Sequence, residues 1–385
     1  MKEYQLANLI EIKHGYAFDG EHIVAEDNGV VLVTPGNFKI GGGFQEEKCK
    51  FFNGEIPKEY VLSSGDYIVT MTDLSKTIDT LGYSAIVPNS KTRTYLHNQR
   101  IGLIKFISDE CDPDYIYYLM QTHKYQRAIA NTSTGATVHH TSPSKIKAYK
   151  FFAPDVESQK RIARTLRAYD DLIENNQKQI KLLEEAAQRL YKEWFVDLHF
   201  LRYENTPIID GVPQGWKRVT LGNIAPILTG KKDANFGTED GAYPFFTCSQ
   251  EPIKAPSYSF DTSAVILAGN GDFNVKLYRG KFEAYQRTYV LSPREEKHLY
   301  LLFNAVNESM AVLVKGASGS TIKFLTKGMI ESIPMFIPTD ELLGQYNNYS
   351  EAVQRKLECL KDSIKMAIEA RDRLLTKLMS GELEV

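Results

Sequence analysis

The sequence has few cysteines and no long apolar run. Its four cysteines, Cys49, Cys111, Cys248 and Cys359, lie far apart and include no Cys-x-x-Cys pair. Neither a disulfide framework nor a zinc ribbon is therefore expected. The first residues lack the apolar stretch of a signal peptide, and no segment approaches the roughly 18 apolar residues of a membrane span. We expect a cytoplasmic protein with reduced thiols.

The sequence also lacks the motifs of enzymes that act on DNA or nucleotides. It contains no Asn-Pro-Pro-Tyr or Asp-Pro-Pro-Tyr tetrapeptide for methyl transfer and no Gly-x4-Gly-Lys-Ser/Thr phosphate loop. The acids in residues 154–160, PDVESQK, superficially resemble a nuclease set. They open a helix, however, where acidic side chains favour the helix dipole. His139 and His140 lack further metal ligands, so we predict no catalytic site, no metal site and no bound cofactor.

Charge is distributed unevenly along a chain whose formal net charge is only −2. Residues 115–154 and residues 309–330 contain no Asp or Glu but several Lys, Arg or His. Such runs are either solvated faces or faces that bind nucleic acid. Because they recur at matching places in the two halves of the chain, the second interpretation is favoured.

An internal repeat organises the chain. At a constant offset of 184 in residue number, Gly135, Thr137, Ile146, Phe152 and Pro154 match Gly319, Thr321, Ile330, Phe336 and Pro338. The offset is 187 where Gln99-Arg100 matches Gln286-Arg287, and 215 where Gly15 matches Gly230. The first half is therefore longer by 28, the difference between those last two offsets. The offset is constant in the C-terminal part of the repeat and changes in the N-terminal part. This pattern indicates a common scaffold that carries two different recognition modules.

The repeat predicts an α+β protein of two tandem α/β domains and two long helices. In each half, short strand-like runs with Gly, Asn and Pro between them precede a helical segment and then a long helix that starts after Pro154 or Pro338. The expected domains are residues 1–154 and 201–338, and the expected helical regions are residues 155–200 and 339–385.

Both long helices carry one narrow apolar stripe with the alternating four-and-three spacing of a coiled coil. The first stripe is Ile162, Leu166, Tyr169, Ile173, Asn176, Ile180, Leu183, Ala187, Leu190 and Trp194. The second is Tyr346, Ser350, Val353, Leu357, Leu360, Ile364, Ala367, Arg371, Leu374 and Leu378. At about 1.5 Å per residue each stripe extends over about 50 Å. We expect the stripes to face each other; the alternative is that each packs on its own domain. Asn176, Ser350 and Arg371 either fix the register or mark places where the coil frays.

Three sequence segments resemble segments of the specificity (S) subunit of type I restriction-modification systems. Residues 153–162, APDVESQKRI, are similar to the opening of that family's central helix, and residues 189–197, RLYKEWFVD, to its end. Residues 371–383, RDRLLTKLMSGEL, resemble the family's C-terminus. The second helix departs from the pattern, because it opens as DELLGQ rather than with a clean Glu-x-Gln-x-x-Ile string.

The resemblance implies two target recognition domains, each reading one half of a split DNA site, and two conserved helices that pack as an antiparallel coiled coil. It also implies partners: two S-adenosylmethionine-dependent adenine methyltransferase (M) subunits and, in the restricting complex, ATP-driven motor-nuclease (R) subunits. S-adenosylmethionine, ATP and Mg²⁺ are then expected on those partners and not on this chain. A bipartite double-stranded DNA site suits a protein with two related readers.

Candidate DNA-binding residues were selected by side-chain chemistry, since Arg, Gln and Asn read base edges and Lys, Ser and Thr hold phosphates. In the first domain they are Gln99, Arg100, Thr137, His139, His140 and Lys145. In the second they are Lys276, Arg279, Tyr285, Gln286, Arg287, Ser320, Thr321 and Lys323. Because Gln-Arg occurs in both halves, its arginines are expected to contact phosphates or support the fold. Nonmatching residues such as His139, His140 and Lys323 are expected to give specificity.

Two rival functions fit part of the pattern. A coiled-coil scaffold whose modules bind proteins would not retain DNA even with partner subunits present. A stand-alone bipartite DNA-binding protein would bind its target tightly by itself. Neither rival accounts for the three strings shared with the specificity subunits.

Overall fold

The computed structural model describes residues 1–135, 137–317, 319 and 323–384. The chain forms two compact units, one of Met1–Glu174 with Ile364–Val385 and one of Asn175–Ser363. Each unit thus combines one α/β domain with parts of both long helices. All four cysteines are free thiols. Among the described residues, no helix has the length and apolarity that crossing a membrane requires.

The first α/β domain is built on two main sheets, two short strand pairs and three short helices. Its elements are β1 (Lys2–Gln5), β2 (Ile10–His14), β3 (Ile23–Val24), β4 (Val30–Val33), β5 (Lys50–Phe52), β6 (Val61–Leu62), β7 (Tyr67–Thr70), β8 (Thr72–Asp73), β9 (Ser84–Ile86), β10 (Thr94–His97), β11 (Ile101–Phe106), α1 (Pro113–Leu119), α2 (His123–Asn131), β12 (His139–His140), α3 (Pro143–Lys147) and β13 (Lys150–Ala153). A five-stranded sheet has the order β3-β5-β4-β10-β6 and a four-stranded sheet the order β2-β11-β7-β9. β1 pairs with β13, and β8 pairs with β12.

The second α/β domain repeats this plan with fewer strands. After α4 (Val156–Phe195) come β14 (Ile208–Ile209), β15 (Val212–Pro213), β16 (Lys217–Thr220), α5 (Leu221–Ile224), β17 (Ile227–Thr229), β18 (Tyr243–Phe246), β19 (Ile253–Ala255), β20 (Phe260–Ala268), β21 (Val275–Ala284), β22 (Thr288–Leu291), α6 (Leu299–Gly316), α7 (Lys327–Glu331), β23 (Pro334–Ile337) and α8 (Asp340–Ser380). Its main sheet has the order β17-β22-β20-β21-β18-β19, and β16 pairs with β23.

Strand register reproduces the alignment of the two halves. Lys2 pairs with Ala153 in β1·β13, and their repeat equivalents Lys217 and Ile337 pair in β16·β23. Likewise Ile12 pairs with Ile104, and the equivalent residues Ile227 and Leu291 pair in the second domain. The predicted repeat and the mixed α/β fold class are therefore confirmed at the level of individual residue pairs.

The two long helices contact each other within each unit, and in the second unit they run antiparallel. In the first unit Arg371 of α8 contacts Asp170 of α4, and in the second unit Ser363 contacts Asn176 while Tyr346 contacts Phe195. Residue numbers rise along one helix as they fall along the other, which defines the antiparallel direction. No residue of either predicted stripe is exposed. A narrow stripe that is continuously covered is the packing that coiled-coil spacing predicts.

The ends of the stripes also pack on the domains. Ile162, Leu166 and Leu378 belong to the core of the first domain. Tyr346 belongs to the core of the second, and Leu190 and Trp194 pack against that core. Both arrangements considered from the sequence therefore occur. The helices contact each other through the polar pairs Asp170–Arg371 and Asn176–Ser363, and the ends of the stripes contact the domains.

Equivalent positions on α4 and α8 tie each domain to its helix with opposite charges. Arg167 of α4 forms an ion pair with Asp114 of α1. Glu351, its repeat equivalent on α8, accepts hydrogen bonds from Arg279 and Tyr300 of the second domain. The same frame position thus makes the same kind of contact with the charges exchanged.

Two of the three polar interruptions of the stripes, Asn176 and Arg371, have polar partners. The buried Asn176 donates a hydrogen bond from Nδ2 to Ser363 Oγ at 3.0 Å. Arg371 Nη1 lies 2.7 Å from Asp170 Oδ1, and Tyr118 donates to the other oxygen of that carboxylate at 2.6 Å. Partnered polar groups favour one register, because a slipped register would bury them without partners. The fraying interpretation is not supported at these two positions.

The opening of α4 explains why its sequence pattern differs from that of α8. Asp155 caps the helix by accepting hydrogen bonds from the Ser158 backbone and hydroxyl, which lowers the pKa of the Asp155 carboxyl. The fully buried Gln159 donates to Pro154 O and accepts from the backbone of Asp112. In α8 the equivalent position is the buried Leu343, so an apolar contact replaces this amide bridge. The Asp155 carboxylate thus acts as a helix cap, as the sequence indicated.

Candidate nucleic-acid interface

Three separate segments of the first domain meet at the backbone of Met71. The amide of Met71 donates to the carbonyl of Arg100 at 2.9 Å, and the amide of Thr141 donates to the carbonyl of Met71 at 3.0 Å. The Gln99-Arg100 turn and the segment that carries His139 and His140 are therefore held on either side of one residue. We call this the first junction.

The second domain contains the same junction at Gly269. The Gly269 amide donates to Arg287 O and the Leu325 amide donates to Gly269 O, both at 2.8 Å. Arg287 and Leu325 are the repeat equivalents of Arg100 and Thr141. Lys323 and the Gln286-Arg287 turn thus lie on either side of Gly269. We call this the second junction.

A glycine fixes the Gln-Arg turn in each domain by close backbone approach. A Cβ on Gly15 would lie 2.2 Å from Asn98 O, and one on Gly230 would lie 1.9 Å from Ala284 O. Both distances are far below van der Waals contact, so only glycine fits at these positions. The matching glycines of the sequence repeat are explained by this shared geometry.

Side chains at the first junction present polar groups to solvent. Gln99, Arg100, Thr137 and His140 are exposed, and His139 is half-buried. The ring nitrogen Nδ1 of His140 lies 3.1 Å from Thr72 Oγ1, which fixes the orientation of the imidazole. Amide, hydroxyl and imidazole groups can contact base edges, and a nearby arginine can contact a phosphate at the same time.

Lys145 supports the first junction through a hydrogen bond at the domain surface. It lies in α3, and its ammonium donates to the carbonyl of Thr132 at 2.5 Å. That contact joins the end of α2 to the segment that follows His139 and His140. The geometry gives Lys145 a role in holding the loop, alongside the DNA contact predicted from its charge.

The second junction borders an open polar pocket of about 260 Å³. Its lining residues are Gly269, Gln286, Arg287, Tyr289, Phe324, Leu325, Thr326 and Lys327. Gln286 is held by a 2.9 Å hydrogen bond from Nε2 to Asp233, while Arg287 and Lys323 are exposed. Tyr285 is half-buried beside this turn. Ser320 and Thr321, also predicted as contacts, lie outside the described residues.

Two predicted DNA-binding residues of the second domain have protein partners within the second unit. Lys276 donates to the carbonyl of Ser249 at 2.8 Å and to Asn274, and burial lowers the pKa of its ammonium. Arg279 is paired with Glu296 and Glu351. Both side chains are therefore engaged in contacts within the second unit, and their DNA-binding role stays a prediction. Composition alone does not distinguish a free cation from a paired one.

Sequence reasoning missed several residues that adjoin the junctions. Thr72, which holds His140, corresponds to Asn270, which forms a bridge with Phe324. This correspondence requires a sequence offset different from those that relate the flanking segments. Because the hairpins differ in length here, no gap-free alignment reveals it. Lys327 of the pocket was missed for a simpler reason, since its repeat equivalent is the proline Pro143.

Both junctions carry side-chain groups of the kinds that contact nucleic acids. They present amides, imidazoles and cations on exposed loops held by paired backbone groups. Among the described residues, no three His, Cys, Asp or Glu side chains are grouped so that they could hold a metal ion. Two such surfaces on related domains can contact a polyanion with sequence-reading groups at each.

Comparison with known proteins points to one family. The family model described as "Type I restriction modification DNA specificity domain" matches residues 1–185 and 213–350. A segment of 183 residues is 39% identical to the type I restriction enzyme EcoDI specificity subunit of Escherichia coli, covering 45% of this chain and 39% of that protein. Over 334 residues the chain is 27% identical to the MjaIX specificity subunit of Methanocaldococcus jannaschii, covering 79% of this chain and 76% of that protein.

The fold is similar to a solved structure over nearly its whole length. The crystal structure of the S subunit of a type I restriction-modification system from M. genitalium matches with a TM-score of 0.62 at 17% identity. The match covers 98% of this chain and 96% of that one.

Proposed function

Because the chain belongs to the family of type I restriction-modification DNA specificity proteins, we propose that it recognises DNA for a modifying complex without catalysing a reaction itself. Each α/β domain reads one half of a bipartite site through its junction. The coiled coil of α4 and α8 sets the spacing between the half-sites and docks the methyltransferase subunits.

One observation carries this proposal: the two domains build the same junction from equivalent backbone groups but equip it with different side chains. Met71 and Gly269 join the Gln-Arg turn to the following loop in the same way. At the loop itself, His140 in the first domain is replaced by Phe324 in the second. A common frame with different readers is what a site with two unlike halves needs.

The partners follow from the family and from the division of labour in such complexes. We propose two methyltransferase subunits and, for restriction, motor-nuclease subunits. S-adenosylmethionine, ATP and Mg²⁺ are bound by those partners. The chain's own contribution is to position DNA, since its candidate interface consists of hydrogen-bonding groups and cations.

Genome-wide mapping of methylated adenines with and without the gene tests the proposal. The expected result is the loss of one bipartite motif in the deletion strain and its return when the gene is restored. If the partner subunits are expressed and the methylation map does not change, the proposal is wrong.

The purified proteins separate the rival functions. A stand-alone DNA-binding protein would retain the bipartite sequence tightly without methyltransferase subunits, and a protein-binding scaffold would not retain DNA even with them. The proposal predicts tight, sequence-specific retention only when the methyltransferase subunits are present.

A further inference from the structure

One hairpin connection differs in length between the two domains. In the first domain Val69 of β7 pairs with Ser84 of β9, so residues 70–83 form the connection. In the second domain Leu267 of β20 pairs with Val275 of β21, so the shorter connection is residues 268–274. The longer connection projects an additional segment, residues 74–80, which we call the 74–80 loop. The described hairpin of the second domain has no equivalent of it.

A buried carboxylate holds the start and the end of the 74–80 loop together. Asp73 is 2% exposed. One of its oxygens accepts from the Ser75 amide at 2.6 Å, and the other accepts from the Thr80 amide at 2.5 Å and hydroxyl at 2.7 Å. The Leu81 amide donates to that second oxygen at 3.0 Å. A buried charge that satisfies several donors of one loop fixes the shape of that loop.

A second anchor ties the 74–80 loop to the domain core. The buried Gln126 of α2 donates from Nε2 to Ile78 O at 2.7 Å, and the Ile78 side chain packs against the core of the first domain. Ile78 has φ +55°, a conformation that a β-branched residue adopts only when its surroundings impose it. The loop is therefore preorganised.

The anchored loop lies directly beside the first junction. β8, which contains Asp73, pairs with β12, so that Asp73 lies opposite His139 and Thr72 opposite His140. In this loop Leu74, Lys76 and Thr77 are exposed, and Leu74 is 59% exposed. An apolar side chain and a cation are thus presented next to the predicted DNA-contacting residues.

We propose that the 74–80 loop reads bases of the first half-site, with Leu74 and Lys76 as the contacting side chains and Asp73 as the positioning residue. This rests on the proposed function and adds a reading element that the second domain lacks. Leu74 suits the methyl group of a thymine, and Lys76 suits O6 and N7 of a guanine in the major groove. The loop is present in the first domain only among the described hairpins, so it can distinguish the two halves of the proposed bipartite site.

The test uses the full chain reconstituted with its methyltransferase subunits and a plasmid library in which each half-site is randomised in turn. Leu74→Ala and Lys76→Ala are surface changes that should leave folding intact. Lys58→Ala, at an exposed lysine before β6, is the matched control. Asp73→Asn tests positioning, and its thermal unfolding is measured to show that the domain still folds.

We expect Leu74→Ala and Lys76→Ala each to lose about tenfold discrimination between bases at one position of the first half-site. This loss corresponds to one base contact. Asp73→Asn should relax the same positions while the second half-site is still required, a split that general destabilisation would not produce. The control should read both half-sites as the wild type does. If Leu74→Ala and Lys76→Ala both retain wild-type discrimination, the loop assignment is wrong although the proposed function stands. If the wild-type complex shows no bipartite preference, both are wrong.

Discussion

At the scale of single residues, Gly15 and Gly230 decide where the Gln-Arg turns lie. Each glycine passes so close to a backbone carbonyl just before the turn that no side chain fits between them. The recurrence of these glycines could be read from the sequence, but their cause could not. In the first domain it depends on a parallel bridge between Tyr16 and Asn98, residues that are distant along the chain.

Substituting Gly15 by alanine should therefore lower the free energy of unfolding by about 2 kcal/mol, because the new Cβ would displace a carbonyl. Gly20→Ala is the matched control, since a Cβ there would meet no atom within 4 Å. Urea unfolding of the two variants checks this. Equal stability of both would contradict the close-approach account.

The exposed arginine of the second junction should contribute to DNA affinity through phosphate contact. Replacing Arg287 by alanine should weaken the assembled complex on all sequences alike and reduce the slope of log affinity against log salt by about 1. Arg218→Ala, at an exposed arginine of β16 outside the junction, removes the same charge and is the control. Binding titrations at several salt concentrations measure both slopes. A selective loss at one base position in Arg287→Ala would instead identify that residue as a base reader.

A buried histidine should make the first domain sensitive to acid. His97 is buried and donates from Nε2 to Ile101 O at 2.8 Å, and burial lowers the pKa of its imidazole below the ordinary 6.5. As the pH falls through about 6.5, His97 therefore binds a proton in the unfolded chain before it does so in the folded chain. The stabilising contribution is present above that pH and is lost below it.

We accordingly expect the melting temperature to fall as the pH is lowered from about 7.5 to about 5.5, and to fall less steeply in His97→Gln, whose amide can still donate to Ile101 O. Calorimetry across this range compares the two slopes rather than the absolute stabilities. Identical slopes would show that His97 is not responsible.

At the scale of elements, the paired stripes could be predicted because heptad spacing is local in sequence. That the stripe ends pack on the domains could not, since an apolar side chain has the same pattern whether it faces a helix or a sheet. Ile162 and Leu378 are therefore correctly placed in the stripe, yet they also complete the core of the first domain. The Met71 and Gly269 equivalence was hidden for a different reason, because the two hairpins to which they belong differ in length.

The Asn176-Ser363 hydrogen bond should favour register at some expense of stability. Ser363→Ala leaves the buried Asn176 amide without this partner and should lower the free energy of unfolding by about 1 to 2 kcal/mol. Combining it with Asn176→Leu should recover the wild-type value or exceed it, since an apolar pair suits the stripe. Denaturant unfolding of the two variants is the measurement. A double variant less stable than Ser363→Ala would contradict the account.

At the scale of the whole molecule, the account rests on two related domains that read independently. The repeat, the fold class and the helix pair could be predicted from sequence, since each leaves a long periodic signal. The contacts that select particular bases could not be predicted. The sequence around exposed side chains such as Lys76 and Lys323 does not distinguish a residue that contacts a base from one that only faces solvent.

Exchanging one domain shows whether each domain reads its own half-site. Residues 1–154 are replaced by the corresponding domain of another specificity subunit, and methylated adenines are mapped in cells that express the matching methyltransferase subunits. The account predicts that one half of the bipartite motif changes while the other half and the spacing are retained. A chimera that is stable and assembles with the methyltransferase, but changes both halves or neither, would contradict it.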